Sequence, residues 1–285
     1  MPLITVLMPV RDGVETLPGA LSSTLSALPR DAEIAVLDDA STQDVGGILH
    51  AWREAPIRYF RSDVPLGVGG SLHYLTERTD REYVFRMDSD DIVLPGRFVL
   101  QLRQLRAGMD IVFSPIVAFS AAPRRVRPGL PLPITPEAMP LHLLIHNPLC
   151  HPTMAARRAA VERAGGWRAL RAEDHDLWLR ALARGLRLAR GSLPVLAYRH
   201  HAGQLSAQAD FIKTSFAELD LRESYMEFVR HRFHVEATWL SRLWEADGDS
   251  SELEPLRELV AREGRALGPL QRLVLTRTTR LLEGR

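Results

Sequence analysis

Three carboxylates fall within four residues at Asp88-Ser89-Asp90-Asp91, after the apolar run Tyr83-Val84-Phe85 and before Ile92-Val93-Leu94-Pro95. Unpaired carboxylates at a strand end repel one another and lose hydration, so packing does not account for the cluster. A divalent cation would, because Mg²⁺ and Mn²⁺ prefer hard oxygen ligands and bridge carboxylates to a diphosphate. A solvated acidic turn is the competing reading. Asp38-Asp39 closes another apolar run and could bind a ribose hydroxyl or the edge of a pyrimidine, or cap the turn through Ser41 and Thr42. Glu173-Asp174 precedes the apolar face of Leu177, Trp178 and Leu182. There Asp174 is a candidate general base and equally a candidate helix N-cap. Tyr198-Arg199-His200-His201 ends a further strand-like run. A histidine there could complete an oxygen-rich metal site while Arg199 neutralises phosphate, and paired histidines in a plain surface turn are also common.

Positioning these groups requires a sheet. Leu3 to Met8, Glu33 to Leu37, Ile57 to Phe60 and the run into Asp88 read as strands, with helical spacing between them at Leu17, Leu21, Leu25 and Leu28 and around Ile48, Leu49 and Trp52. This βαβα rhythm predicts a mostly parallel sheet with helices on both faces. Ligands then bind beyond the carboxyl ends of the strands. Three such ends carry Arg11-Asp12, Asp38-Asp39 and Asp88-Ser89-Asp90. Gly67-Val68-Gly69-Gly70 opens a helix but lacks the spacing of a dinucleotide fingerprint. Residues 123–140 read as a long Pro- and Arg-rich loop, residues 151–166 as carrying a helical stretch that ends at Gly165-Gly166, residues 173–184 as a second one, and Ser192 to Arg199 as a strand. Beyond about Ser206 the pattern is helical, with a break near Gly248.

A chain of 285 residues with a net charge of +1 does not suit strong nucleic-acid binding. Its only lysine is Lys213, which removes the late-strand lysine that a phosphoacceptor signalling domain would need. The lone Cys150 reads as core filler in a reducing compartment. No run of apolar residues is long enough to span a bilayer, and the start reads as a first strand and not as a signal peptide. Leu267, Leu270, Val274 and Leu281 share a helical face near Arg265, Arg272, Arg277 and Arg280. That helix could lie on an anionic membrane surface, dock on the body, or meet a second subunit.

In order and spacing, several of these elements together resemble a family-two glycosyltransferase. They are Pro9-Val10-Arg11-Asp12, Val36-Leu37-Asp38-Asp39-Ala40-Ser41-Thr42 and Asp88-Ser89-Asp90-Asp91 with Pro95 and Arg97-Phe98. His151-Pro152-Thr153, Gly165-Gly166-Trp167, Glu173-Asp174 with Leu177 to Arg180, and Tyr198-Arg199 with His201, Gly203 and Ser206 complete the set. The resemblance implies an α/β protein of the GT-A fold, with a glycosyltransferase domain over 1–206 and a helical extension over 207–285. Within that domain the nucleotide-binding half would take about 1–100 and the acceptor side 101–206. It implies an inverting transferase that uses Mn²⁺ or Mg²⁺ to move a sugar from a nucleotide donor, a UDP-sugar first, to a carbohydrate or lipid-linked acceptor in polysaccharide synthesis. A cytoplasmic enzyme, peripheral to the membrane or self-associating through its last helices, is expected. By position, Asp90, Asp88 and His201 would hold the metal, and Asp174 beside Glu173 would be the base. Pro9, Val10, Arg11, Asp38, Asp39 and Gly67 would meet the nucleotide sugar, with Met87, Asp88, Ser89 and Arg199. Arg11-Asp12 replaces the family's usual aromatic-Asn pair, which weakens the inference to uracil. A sugar-nucleotide pyrophosphorylase would need a basic glycine loop after the first strand, which Pro9 to Gly13 is not. A non-catalytic relative is the other rival.

Overall fold

A computed structural model describes residues 3–120, 125–200, 214–215, 217–236, 239–240 and 253–280. Among these residues eleven strands form: β1 (Ile4–Val10), β2 (Ala32–Asp39), β3 (Ile57–Ser62), β4 (Tyr83–Arg86), β5 (Ile92–Val93), β6 (Ile111–Phe113), β7 (Ile116–Ser120), β8 (Arg125–Pro128), β9 (Ala155–Arg157), β10 (Leu188–Arg190) and β11 (Leu196–Arg199). The helices are α1 (Leu17–Ala27), α2 (Val45–Leu49), α3 (Gly67–Glu77), α4 (Arg97–Arg106), α5 (Met139–Ile145), α6 (Arg158–Arg163) and α7 (Glu173–Ala183), then α8 (Leu219–Phe233), α9 (Glu254–Gly264) and α10 (Pro269–Thr279).

The main sheet has seven strands in the order β10-β6-β9-β4-β1-β2-β3. Every pairing in it is parallel except those of β9, which runs antiparallel to both β4 and β6. Alternate residues of the central strands go to opposite faces, as the two-residue strand period requires. Leu7, Ala35 and Leu37 enter the core shared with α3, α5, α7 and the last three helices. Val6, Met8, Ile34 and Val36 enter the core under α1 and α4. Both faces are therefore covered, which is why these strands read as continuous apolar runs. A second sheet, β5-β11-β7-β8, brings Arg199 beside the acidic cluster.

The segment over 151–166 carries the expected helical stretch as α6, ahead of Gly165-Gly166, and places a strand before it. It folds as a 3-10 turn at His151–Thr153, then β9, then α6. Burial between two strands overrides the helical preference of Ala155 and Ala156. Part of the expected 123–140 loop is also ordered, as β8 pairing with β7. On α10, Val274, Leu275, Gln271 and Thr278 are buried, and Thr278 Oγ1 meets His142 Nδ1 at 2.8 Å, so this helix is docked on α5. Leu270 faces outward, and Leu281 lies outside the described residues. No helix among the described residues is long and apolar enough to cross a membrane.

Candidate active site

The chain runs β1, β2, β3 outward on one side and then returns to place β4 on the other side of β1. The crevice between the ends of β1 and β4 is therefore the switch point where ligands bind in open α/β sheets. A cleft of about 1360 Å³ opens there. Pro9, Val10 and Arg11 line it from β1, with Asp39 and Gly67 from the next strand end and helix start. Asp88, Ser89 and Asp90 line it after β4, Arg199 at the end of β11, and Glu173 with Asp174 at the start of α7. These eleven expected residues, distant in sequence, thus share one cleft.

Two do not. Asp38 is fully buried: Oδ1 accepts the Ser41 N–H at 2.9 Å, and Oδ2 takes the Tyr59 hydroxyl at 3.1 Å together with the Arg61 guanidinium. It shapes the turn after β2 and offers nothing to a ligand in the cleft. Met87 is likewise buried, its Sδ 3.5 Å from Arg97 Nη1. The alternation along the strand explains both: each side chain turns away from the face on which its neighbour, Asp39 or Asp88, is presented. His201 lies outside the described residues.

Asp39 holds the start of α3. Its oxygens accept the N–H groups of Leu66 at 2.6 Å and Gly67 at 3.0 Å, an anion at a helix N-terminus. Gly67 has φ +70°, and a Cβ on Gly69 would stand 2.0 Å from the Arg168 carbonyl oxygen. The glycine turn is thus a matter of backbone conformation and close approach. Asp12 accepts hydrogen bonds from Thr42 N, Thr42 Oγ1 and Gln43 N, which ties the end of β1 to the turn after β2. The Thr42 hydrogen bonds hold its carboxyl below the usual range.

Oxygens of Asp88, Asp90 and Asp91 lie within 4.8 Å of one another. Asp91 is the most buried of the three: Oδ1 accepts the Arg199 N–H at 2.8 Å, and Oδ2 has no hydrogen-bond partner among the described residues. Burial, with Asp88 next to it, pushes the Asp91 carboxyl up to about 8. Arg199 Nε donates to the Asp90 carbonyl at 2.7 Å. The fold supplies one further charge that sequence reasoning missed. Arg86, the buried last residue of β4, sets Nη2 2.6 Å from Asp88 Oδ1. Burial would lower its pKa, and Asp88, Glu173 and Asp174 outweigh that and raise it. An arginine in an otherwise apolar strand, two residues before the first acid, was the signal available.

Also lining the cleft, α7 begins with Ala172 as N-cap, so Asp174 is the second helical residue and not the cap. Asn147 Nδ2 donates to its Oδ2 at 2.8 Å, and its Oδ1 accepts the His175 N–H at 2.7 Å. Glu173 turns toward His151, Oε1 lying 3.2 Å from Nδ1, and the His151 ring packs at 5.1 Å from that of Trp167. Burial pushes Glu173 up to about 7 and His151 down to about 3. Cys150 lines the cleft with its thiol pushed up by burial, so it is a poor nucleophile there. Behind the helix start, Asp176 and Arg180 form a buried ion pair at 2.6 Å; Arg180 also donates to the Ala164 and Gly166 carbonyls, and Ser224 to Asp176.

Residues 5–165 match the family described as Glycosyl transferase family 2. The chain belongs to that family. Among curated proteins, this glycosyltransferase is 28% identical over 195 residues to the putative glycosyltransferase EpsE of Bacillus subtilis (strain 168), covering 65% of this chain and 69% of EpsE. It is 23% identical over 207 residues to the UDP-Glc:alpha-D-GlcNAc-diphosphoundecaprenol beta-1,3-glucosyltransferase WfaP of Escherichia coli, covering 73% and 81%. Among solved structures it resembles S. aureus TarS 1-349 in complex with UDP-GlcNAc, with a TM-score of 0.63 at 15% identity over 98% of this chain and 88% of that one. At that identity the likeness is one of fold, and the fold is GT-A.

Proposed function

We propose that the enzyme moves a sugar from a nucleoside-diphosphate donor, a UDP-sugar first among them, to an acceptor hydroxyl with inversion, in assembly of a cell-envelope polysaccharide. The observation that carries this is the convergence, in one cleft, of the acidic cluster at the switch point and the Asn147-bonded Asp174. The donor and lipid-linked acceptor named for WfaP, and the UDP-GlcNAc held by TarS, support it.

The donor set suits a hard divalent ion: clustered carboxylate oxygens, one of them buried without a partner. Asp90 with Asp88 and His201 would hold Mn²⁺ or Mg²⁺, which would supply positive charge for a departing diphosphate. Arg199 adds fixed positive charge at the same end. Arg86 keeps Asp88 aimed into the cleft. In the same cleft, Asp174 takes the proton of the acceptor hydroxyl as its oxygen bonds to the anomeric carbon. The carbon–phosphate oxygen bond breaks on the opposite side, its electron pair leaving with the nucleoside diphosphate, so the configuration inverts. Asn147 fixes the base, and Glu173, engaged with His151, positions the helix start.

The test is a panel of UDP-, GDP- and dTDP-sugars with Mn²⁺ and with chelator, read as nucleoside diphosphate released, alongside calorimetry of donor binding. Release should need the cation. Asp174→Asn should cut transfer by about a hundredfold or more while donor affinity stays within about twofold. Near-normal turnover in that variant would remove Asp174 from the role. Binding without release for every donor would remove the reaction.

A further inference from the structure

The last two helices carry a feature that sugar transfer does not use. Between α9 and α10 lies a groove of about 390 Å³. Arg257, Arg265 and Arg272 line it over an apolar floor that includes Val260 and Leu275, and no carboxylate lines it. Residues 265–280 hold four arginines and no acid. Arg265, Arg272, Arg277 and Arg280 form no ion pair with any described residue. Elsewhere on the exposed side of α10, Leu270 is 50% exposed and Leu273 is 61% exposed.

We propose that this groove and the outer side of α10 dock on an anionic lipid surface, the arginines meeting phosphate headgroups and Leu270 and Leu273 entering the interface. Charge decides the occupant. In a symmetric pair of chains the same patch faces itself, which would set these arginines against their own copies. A sheet of lipid phosphates supplies the opposite charge and an apolar layer beneath it, the two things this face offers to match.

The docking also has a direction. Gln271 bonds the Thr135 N–H at 3.2 Å and the Pro133 carbonyl at 3.1 Å, and Thr278 bonds His142 further along. α10 therefore runs alongside α5 toward Ile145, His146 and Asn147, which line the cleft beside Asp174. A surface that receives α10 lies one helix behind the acceptor wall. That places a lipid-linked hydroxyl within reach of the cleft, a step that rests on the transfer reading.

The full chain is sedimented with vesicles of phosphatidylcholine alone and of phosphatidylcholine with one part in four phosphatidylglycerol. No donor is present, so failure here is separate from failure of the transfer reaction. The chain should bind only the anionic vesicles, and binding should weaken as salt is raised. Arg265→Gln with Arg272→Gln and Arg277→Gln should weaken binding by at least about tenfold. Leu270→Ser with Leu273→Ser should weaken it as well. These positions are exposed, so both variants should keep the wild-type melting temperature, which is measured in parallel. Equal binding to both vesicles, no binding, or arginine variants that bind like wild type would overturn the proposal. So would a dimer in light scattering that the leucine variant dissolves while vesicles are ignored.

Discussion

Glu173 and His151 share one contact in the cleft, and burial moves them in opposite directions, Glu173 up from 4.5 to about 7 and His151 down from 6.5 to about 3. Folding free energy follows the difference in protons bound by the folded and unfolded chains. The depressed His151 contributes stability that is full above pH 6.5 and is lost as pH falls toward 3. The raised Glu173 contributes stability that is full below pH 4.5 and is lost as pH rises toward 7. Between those limits the two slopes offset. Glu173→Gln removes one and leaves the other, so its melting temperature should fall more steeply on acidification from about pH 6.5 to 4.5 than that of wild type. Parallel curves would show that His151 is not held neutral. Residues were legible where their chemistry conflicted with packing. Asp88 to Asp91 stood out because no core tolerates three bare carboxylates. Asp38 and Asp39 could not be told apart, because adjacent strand residues look alike until the pleat assigns one to the interior. Arg86 escaped notice because a charge at a strand end reads as solvent-facing, whereas here it is buried against Asp88.

At the scale of elements, α7 is placed by charge as well as by its apolar face. Arg180 is bound to Asp176 on its own helix and to two carbonyls of the glycine turn before Trp167. Replacing it leaves the buried Asp176 carboxylate with only the hydroxyl of Ser224 and a distant Arg168, at 3.4 Å. Arg180→Met should therefore cost about 3–5 kcal/mol in urea unfolding. A loss below about 1 kcal/mol would mean that the pair is dispensable. The parallel strands were legible because burial on both faces writes them as apolar runs, and α7 because its apolar spacing is helical. β9 was not, since Ala-Ala-Arg is too short and too helix-favouring to announce a strand. β5, with two residues, carries no period at all.

Over the whole molecule, the helices after residue 206 are more than an appendage. α8 packs along α7 and brings Leu221 and Tyr225 to the cleft, where the Tyr225 hydroxyl donates to the Leu144 carbonyl. Tyr225 packs against His175, next to Asp174, so it should sense the acceptor. Tyr225→Ala should lower the ratio of transfer to donor hydrolysis several-fold and leave hydrolysis itself near wild type. Equal losses in both would assign Tyr225 to stability alone. This contribution was invisible in the helical spacing, which says which side of a helix is apolar and not what it covers. The antiparallel strand in the main sheet has its own consequence. β9 pairs with β4 on one side and β6 on the other, so the centre of the sheet stays open until residues 155–157 have been made. A nascent chain with only its first hundred residues out of the ribosome has strands β1 to β4 but an unpaired edge at β4. The two halves of the main sheet must therefore fold as one cooperative unit, closing a long loop before either is complete.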